Sequence, residues 1–176
     1  MFIDDAKGTG SRAQVNSENR LAVEAVTKNA ASNRSEKAGD CYFFTTAYNY
    51  AGADTILWLS NSSTTKRLFI EKIHISSDTT TNITIHSPAY AAPAGTLITG
   101  VNANRSSGST ADAVCYQDET NNAQANVLIE DIVLANSPEV YPVDGKIILG
   151  FQNVIAVDFV TVGTLGAVTI VGYFDD

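Results

Sequence analysis

From Cys41 to Tyr173 the chain consists of short runs in which apolar and polar side chains alternate, separated by clusters of Asn, Ser, Thr, Gly and Pro. A period of two sends successive side chains to opposite faces of a pleated strand. The richest stretch is Lys146–Tyr173, where Gly163 and Gly166 punctuate runs of Val, Ile, Phe, Tyr and Thr and no Pro intervenes. Those residue types favour strands. This ribbon is the element around which the rest of the chain is expected to wrap.

Upstream, the same pattern predicts strands at Cys41–Tyr50, Thr55–Leu59, Arg67–Ser76, Asn82–His86, Thr96–Val101, Ala113–Gln117 and Asn126–Leu134. Arg67–Ser76 and Asn82–His86, joined by the polar Ser77–Thr81, read as a hairpin. In it Ile73 and Ile75 share a face, as do Ile83 and Ile85. Leu68 and Ile70 fall out of phase with Ile73 and Ile75, which predicts a bulge near Glu71 or burial on both faces. Ser87–Gly95 and Asn102–Asp112 read as loops. Pro138 and Pro142 confine Val140 and Tyr141 to an edge or a connection, and Asp144-Gly145 is a turn signal. About nine or ten short strands with frequent turns predict an all-β fold. The expected form is an antiparallel β-sandwich, jelly-roll-like, spanning residues 39–176.

Residues 1–38 differ in character. Ala13–Val15 and Leu21–Thr27 bracket a polar turn at 16–19 and read as a hairpin, with an amphipathic helix over 18–30 as the competing reading. Asn29–Lys37 has no large apolar side chain and reads as a linker or surface strap. This segment is expected to be an extended N-terminal arm.

Charge sharpens the division. Residues 1–40 hold six basic and six acidic side chains, so the remaining residues carry the whole net charge of −8. An acidic body is a poor match for nucleic acid, because phosphate contacts need clustered Lys and Arg. No apolar run approaches the roughly 20 residues that cross a bilayer, and the first residues lack the signature of a signal peptide. Synthesis in the cytoplasm is expected, with Cys41 and Cys115 as free thiols.

No motif carries chemistry by itself. His74 and His86 fall on equivalent faces of the two predicted hairpin strands, yet a third ligand for zinc is missing. The acidic pairs Asp118-Glu119, Glu130-Asp131 and Asp175-Asp176 read as solvated charge, since neighbours on a strand point to opposite faces. No Ser stands in a nucleophile motif, and neither Cys belongs to a Cys-x-x-Cys pair. Trp58 and Tyr90 are candidates for stacking on a sugar ring, although Leu57 and Leu59 favour core packing for Trp58. The expectation is a protein that is not an enzyme and carries no cofactor or metal.

One stretch resembles a known group. Gly8–Leu21, running on to Ala25-Val26-Thr27 and then Gly39–Tyr42, is similar to the opening of small virion structural proteins of tailed phages; Asp54–Leu59 and Asn61 also fit. The resemblance covers the first third of the chain and implies a capsid decoration (cement) protein on the phage head, made in the host cytoplasm. It further implies a homotrimer whose partners are the major capsid protein and copies of itself, with no nucleic acid or membrane. The arm would then bind the capsid through Phe2, Ile3, Arg12, Val15, Arg20, Leu21 and Val23. The alternative is a tail- or fibre-associated sandwich that binds host glycans through Trp58 and Tyr90.

Overall fold

The computed structural model describes residues 2–4, 12–14, 30–37, 39–50, 54–119, 124–160 and 165–175. The alternating runs are strands. The elements are β1 (Phe2–Asp4), β2 (Arg12–Gln14), α1 (Ala30–Lys37), β3 (Cys41–Tyr48), β4 (Asp54–Asn61), β5 (Arg67–Ser77) and β6 (Thr81–His86). They continue with β7 (Thr96–Ile98), β8 (Val101–Asn102), β9 (Ala113–Gln117), β10 (Val127–Val133), β11 (Glu139–Leu149), β12 (Val154–Phe159) and β13 (Gly166–Asp175).

Two antiparallel sheets pack together. One has the order β10-β6-β12-β4-β9-β7, the other β11-β5-β13-β3-β8. From β3 to β6, and again from β10 to β13, each connection crosses to the opposite sheet. The long excursion through β7, β8 and β9 returns to β10 beside β6. Without that excursion the two sheets read β10-β6-β12-β4 and β11-β5-β13-β3, the interleaved order of a jelly roll. The expected sandwich is therefore present. Its apolar ribbon supplies β12 and β13, the inner strands that pair on both sides.

The core lies between the sheets. Ile73 and Ile75 of β5 meet it from one side, and Ile83 and Ile85 of β6 from the other. The predicted hairpin is thus corrected, because β5 and β6 belong to different sheets. The connection is residues 78–80. Three extended residues span about 10 Å, which matches the spacing of stacked sheets. Such a connector serves a hairpin or a crossing equally well, and the alternation looks the same in both.

The bulge near Glu71 is real. Opposite β13 the register runs from Val171↔Lys72 to Gly172↔Ile70, so Glu71 is the extra residue. The slip brings Leu68 and Ile70 into the core alongside Ile73 and Ile75. On the other side of β5, β11 answers with a larger break between Pro142 and Ile147. There Asp144 (φ 50°) and Gly145 (φ 72°) take left-handed conformations, as their turn signal predicts. β11 lies at a sheet edge, as Pro138 and Pro142 require.

In the leader, β2 pairs backwards with β1, in the register Ile3↔Ala13. The predicted partner of Ala13, Leu21–Thr27, lies outside the described residues. The segment read as a linker or strap, residues 29–37, is a helix over nearly all its length, and Ala31 is buried. Ala, Arg, Glu and Lys tolerate a helix well. Its stability comes from docking on β13 and β3, a contact that sequence pattern does not register.

Gly172 offers a test of the bulge. A Cβ there would stand 2.9 Å from the Phe69 carbonyl oxygen and 3.0 Å from Leu68 Cδ1, whereas one on Gly108 would meet nothing within 4 Å. Gly172→Ala is expected to destabilise by about 1–3 kcal/mol, and Gly108→Ala to stay within about 0.5 kcal/mol. Urea midpoints measure both; equal midpoints would show that the bulge leaves room.

Candidate functional site

A broad groove lies on the outer face of the five-stranded sheet. β13 sends Val168 and Ile170 to the core, so Thr169, Val171 and Tyr173 face outward. Val171 lies between Lys72 and Phe43, and Tyr173 between Phe69 and Cys41. Phe69 and Tyr173 stack with centroids 5.2 Å apart and planes 5° from parallel. The Arg67 guanidinium stands 5.5 Å from the Phe69 centroid.

α1 covers one end of this face. Ala31, Cys41, Val171 and Tyr173, with Phe69 and Ala103 beside them, form a second small core. The Arg34–Asp175 ion pair holds the helix down. Asn104 Nδ2 donates to the Ser35 carbonyl at 3.1 Å, and the Asp40 N–H donates to the Arg34 carbonyl at 3.4 Å. Next to α1 the face opens into a groove of about 990 Å³. Cys41, Phe43, Val140, Pro142 and Val171 supply its apolar lining, and Glu71, Lys72, Arg105 and Asp144 add charges of both signs. Burial, and then the charge of Glu71, raise the Cys41 thiol above its usual range, so it stays protonated and weakly nucleophilic.

A buried polar cluster occupies the outer face of the six-stranded sheet. Asp158 is its hub. Thr55 Oγ1 donates to Oδ1 at 2.7 Å, and Gln124 Nε2 donates to Oδ2 at 3.3 Å. His86 Nε2 lies 3.0 Å from Oδ2, off the axis of a well-aligned hydrogen bond. Its Nδ1 accepts the Ala125 N–H at 3.4 Å. Register explains the meeting, since Asp158 pairs with Thr84 on one side and Thr55 on the other, two residues along from the Ala156↔His86 pair and so on the same face. A hydrolytic triad places the imidazole between nucleophile and carboxylate. Here the carboxylate is central, and it accepts hydrogen bonds from the buried Thr55 hydroxyl and from the Gln124 amide. Nearby, Glu119 is buried and accepts the Gly95 N–H at 2.6 Å.

The remaining sequence candidates fall as follows. His74 and His86 are on different sheets, so the opposed pair is corrected along with the hairpin. Trp58 is 1% exposed and packs with Val154 and Ala156 on the outer face of its sheet, away from the main core. Tyr90 lies over it, centroids 5.8 Å apart, and is itself 45% exposed. The two are together, with only Tyr90 open to solvent. Phe2, Ile3 and Arg12 sit on the β1–β2 pair, while Val15, Arg20, Leu21 and Val23 lie outside the described residues. Cys41 and Cys115 are unpaired and buried. Among the described residues, no group of His, Cys, Asp and Glu has the arrangement of a metal site.

Sequence reading missed α1 and Asp158. Asp158 did leave a signal, being the lone charge in the apolar run Val154–Phe159. A charge at such a position needs a buried partner.

No protein-family model, curated protein or solved structure matches the chain.

Two outcomes follow from these environments. Asp158→Ala strands Thr55 and His86 in a buried site and is expected to cost about 3 kcal/mol, seen as a lower urea midpoint at pH 7. A cost under about 0.5 kcal/mol would show that the cluster contributes nothing to the fold. The second concerns pH. Burial raises the Cys115 thiol far above its usual range. The unfolded chain therefore loses this proton first, from about pH 8.5, and stability falls as pH rises beyond that point. Urea midpoints from pH 7 to 10 are expected to decline, and Cys115→Ala to decline less steeply than wild type.

Proposed function

We propose that this protein is a non-enzymatic structural component of a phage particle, a decoration protein that binds the head surface and stabilises contacts between capsomers. The observation that carries the reading is the placement of α1. The leader joins the sandwich at that helix, and the helix is fixed beside an apolar groove of about 990 Å³. Helix and groove thus form one contact face on a rigid body, as a protein bridging neighbouring capsomers requires. The likeness of residues 8–42 to virion proteins supplies the particle, and the major capsid protein is the proposed partner. The buried His86–Asp158 cluster, with its carboxylate hub and engaged imidazole, agrees with adhesion rather than catalysis. A glycan-binding role has less to work with, since Trp58 is covered by Tyr90.

In this reading the protein is a homotrimer. Sedimentation of the purified chain is expected to give the mass of three chains, and it should bind empty heads. Deleting residues 1–28 is expected to reduce head binding at least tenfold while the sandwich keeps its urea midpoint. A stable monomer that ignores heads would overturn the proposal.

A further inference from the structure

The flank where β10 and β11 run side by side has a built-in asymmetry. Both are terminal strands of their sheets, and among the described residues nothing pairs with their outer edges. Edge strands normally carry devices that prevent unwanted pairing, such as Pro, Lys or an inward-pointing charge. β11 is blunted by Pro142, which has no N–H, and by the break that follows it. β10 contains no Pro and no Lys. Its pairing with β6 slips between Val127 and Ile129, and in the regular run from Ile129 to Val133 the device is Asp131.

The register shows how that device works. Asn82, Thr84 and His86 are the β6 residues that face β12, as the Val160 N–H bonded to the Asn82 carbonyl illustrates. Glu130 and Ile132, opposite Thr84 and Asn82, therefore turn their backbone groups away from β6, towards the open edge. Asp131 Oδ1 accepts the Ile132 N–H at 2.8 Å, and its Oδ2 accepts the Tyr141 hydroxyl of β11 at 3.0 Å. One carboxylate thus occupies an edge donor and latches the two sheets together. Around it Val127, Leu128, Ile132 and Val140 are exposed apolar side chains. Glu130 and Asp131 are exposed, and Glu139 is half-buried. A greasy edge ringed by acids is unguarded against a strand that brings cations.

We propose that β10 is a strand-accepting edge, that Asp131 is its latch, and that its occupant is an extended segment of another protein alternating apolar with Lys or Arg side chains. On docking, an occupant carbonyl takes the Ile132 N–H, and a cationic side chain takes the Asp131 carboxylate from Tyr141. Apolar side chains of the segment cover Ile132 and its exposed neighbours. Opposite charges directly across a strand pair favour this choice, and an acidic segment meets repulsion. The inference does not depend on a role in a phage particle.

The test uses the full-length chain and two eight-residue peptides, one alternating valine with lysine and arginine, the other valine with glutamate. Binding is read by calorimetry and by amide exchange. The wild type is expected to bind the basic peptide at least tenfold more tightly and to slow exchange at Glu130 and Ile132. Tyr141→Phe frees the latch and should tighten that binding about threefold to tenfold. Asp131→Asn should cut the preference for the basic peptide at least threefold. Equal binding of both peptides, no binding of either, or protection elsewhere than β10 would overturn the proposal. So would tighter binding by Asp131→Asn with an undiminished basic preference, which would mark Asp131 as a plain edge guard. If Asp131→Asn fails to fold, the Tyr141→Phe result and the exchange pattern still decide.

Discussion

The last two strands of the chain occupy the middle of the two sheets, and the rest of the structure depends on that pairing. β12 is hydrogen-bonded to β4 and β6, and β13 to β3 and β5. A central strand must satisfy backbone groups on both edges. That role demands a run without Pro, and β12 and β13 contain none. The main contacts also join residues far apart in sequence, so neither sheet can close until the C-terminal ribbon is available.

This central position also accounts for the buried polar cluster. β12 is buried along its whole length, since the excursion after β6 covers the outer face of its sheet around Trp58 and Tyr90. A carboxylate on such a strand has no water to turn to, and Asp158 meets its partners from β4, β6 and the segment before β10. The surfaces left for contact are elsewhere. One is the groove beside α1, and the other is the flank of β10 and β11. The first has mixed charge and the second is acidic, so they suit different partners.

Much of the fold was legible because strand alternation is a local property. The phase slip between Ile70 and Ile73 is readable in four letters, and it is the Glu71 bulge. Pro142 marks an edge because the missing N–H is a property of the residue alone. The pairing of β5 and β6 was not legible. Inward-facing Ile83 and Ile85 look the same whether they lie beside Ile73 and Ile75 or across the core from them. The site was less readable still. α1 has no apolar stripe of its own, and Ala31 becomes a core residue only because Val171 and Tyr173 lie beneath it. Trp58 reads as core from its Leu neighbours, yet it lies on the opposite face of β4 from both.

By itself the sequence determined the strand-forming runs, their inward faces, the edge and bulge positions, and the acidic character of the body. Each of these follows from side-chain size, charge and backbone freedom within a few residues. Only the tertiary structure decided which runs became neighbours, where α1 docked, and that His86 and Asp158 would meet. Those outcomes depend on how two sheets stack and in what register, and a one-dimensional pattern of period two is silent on both.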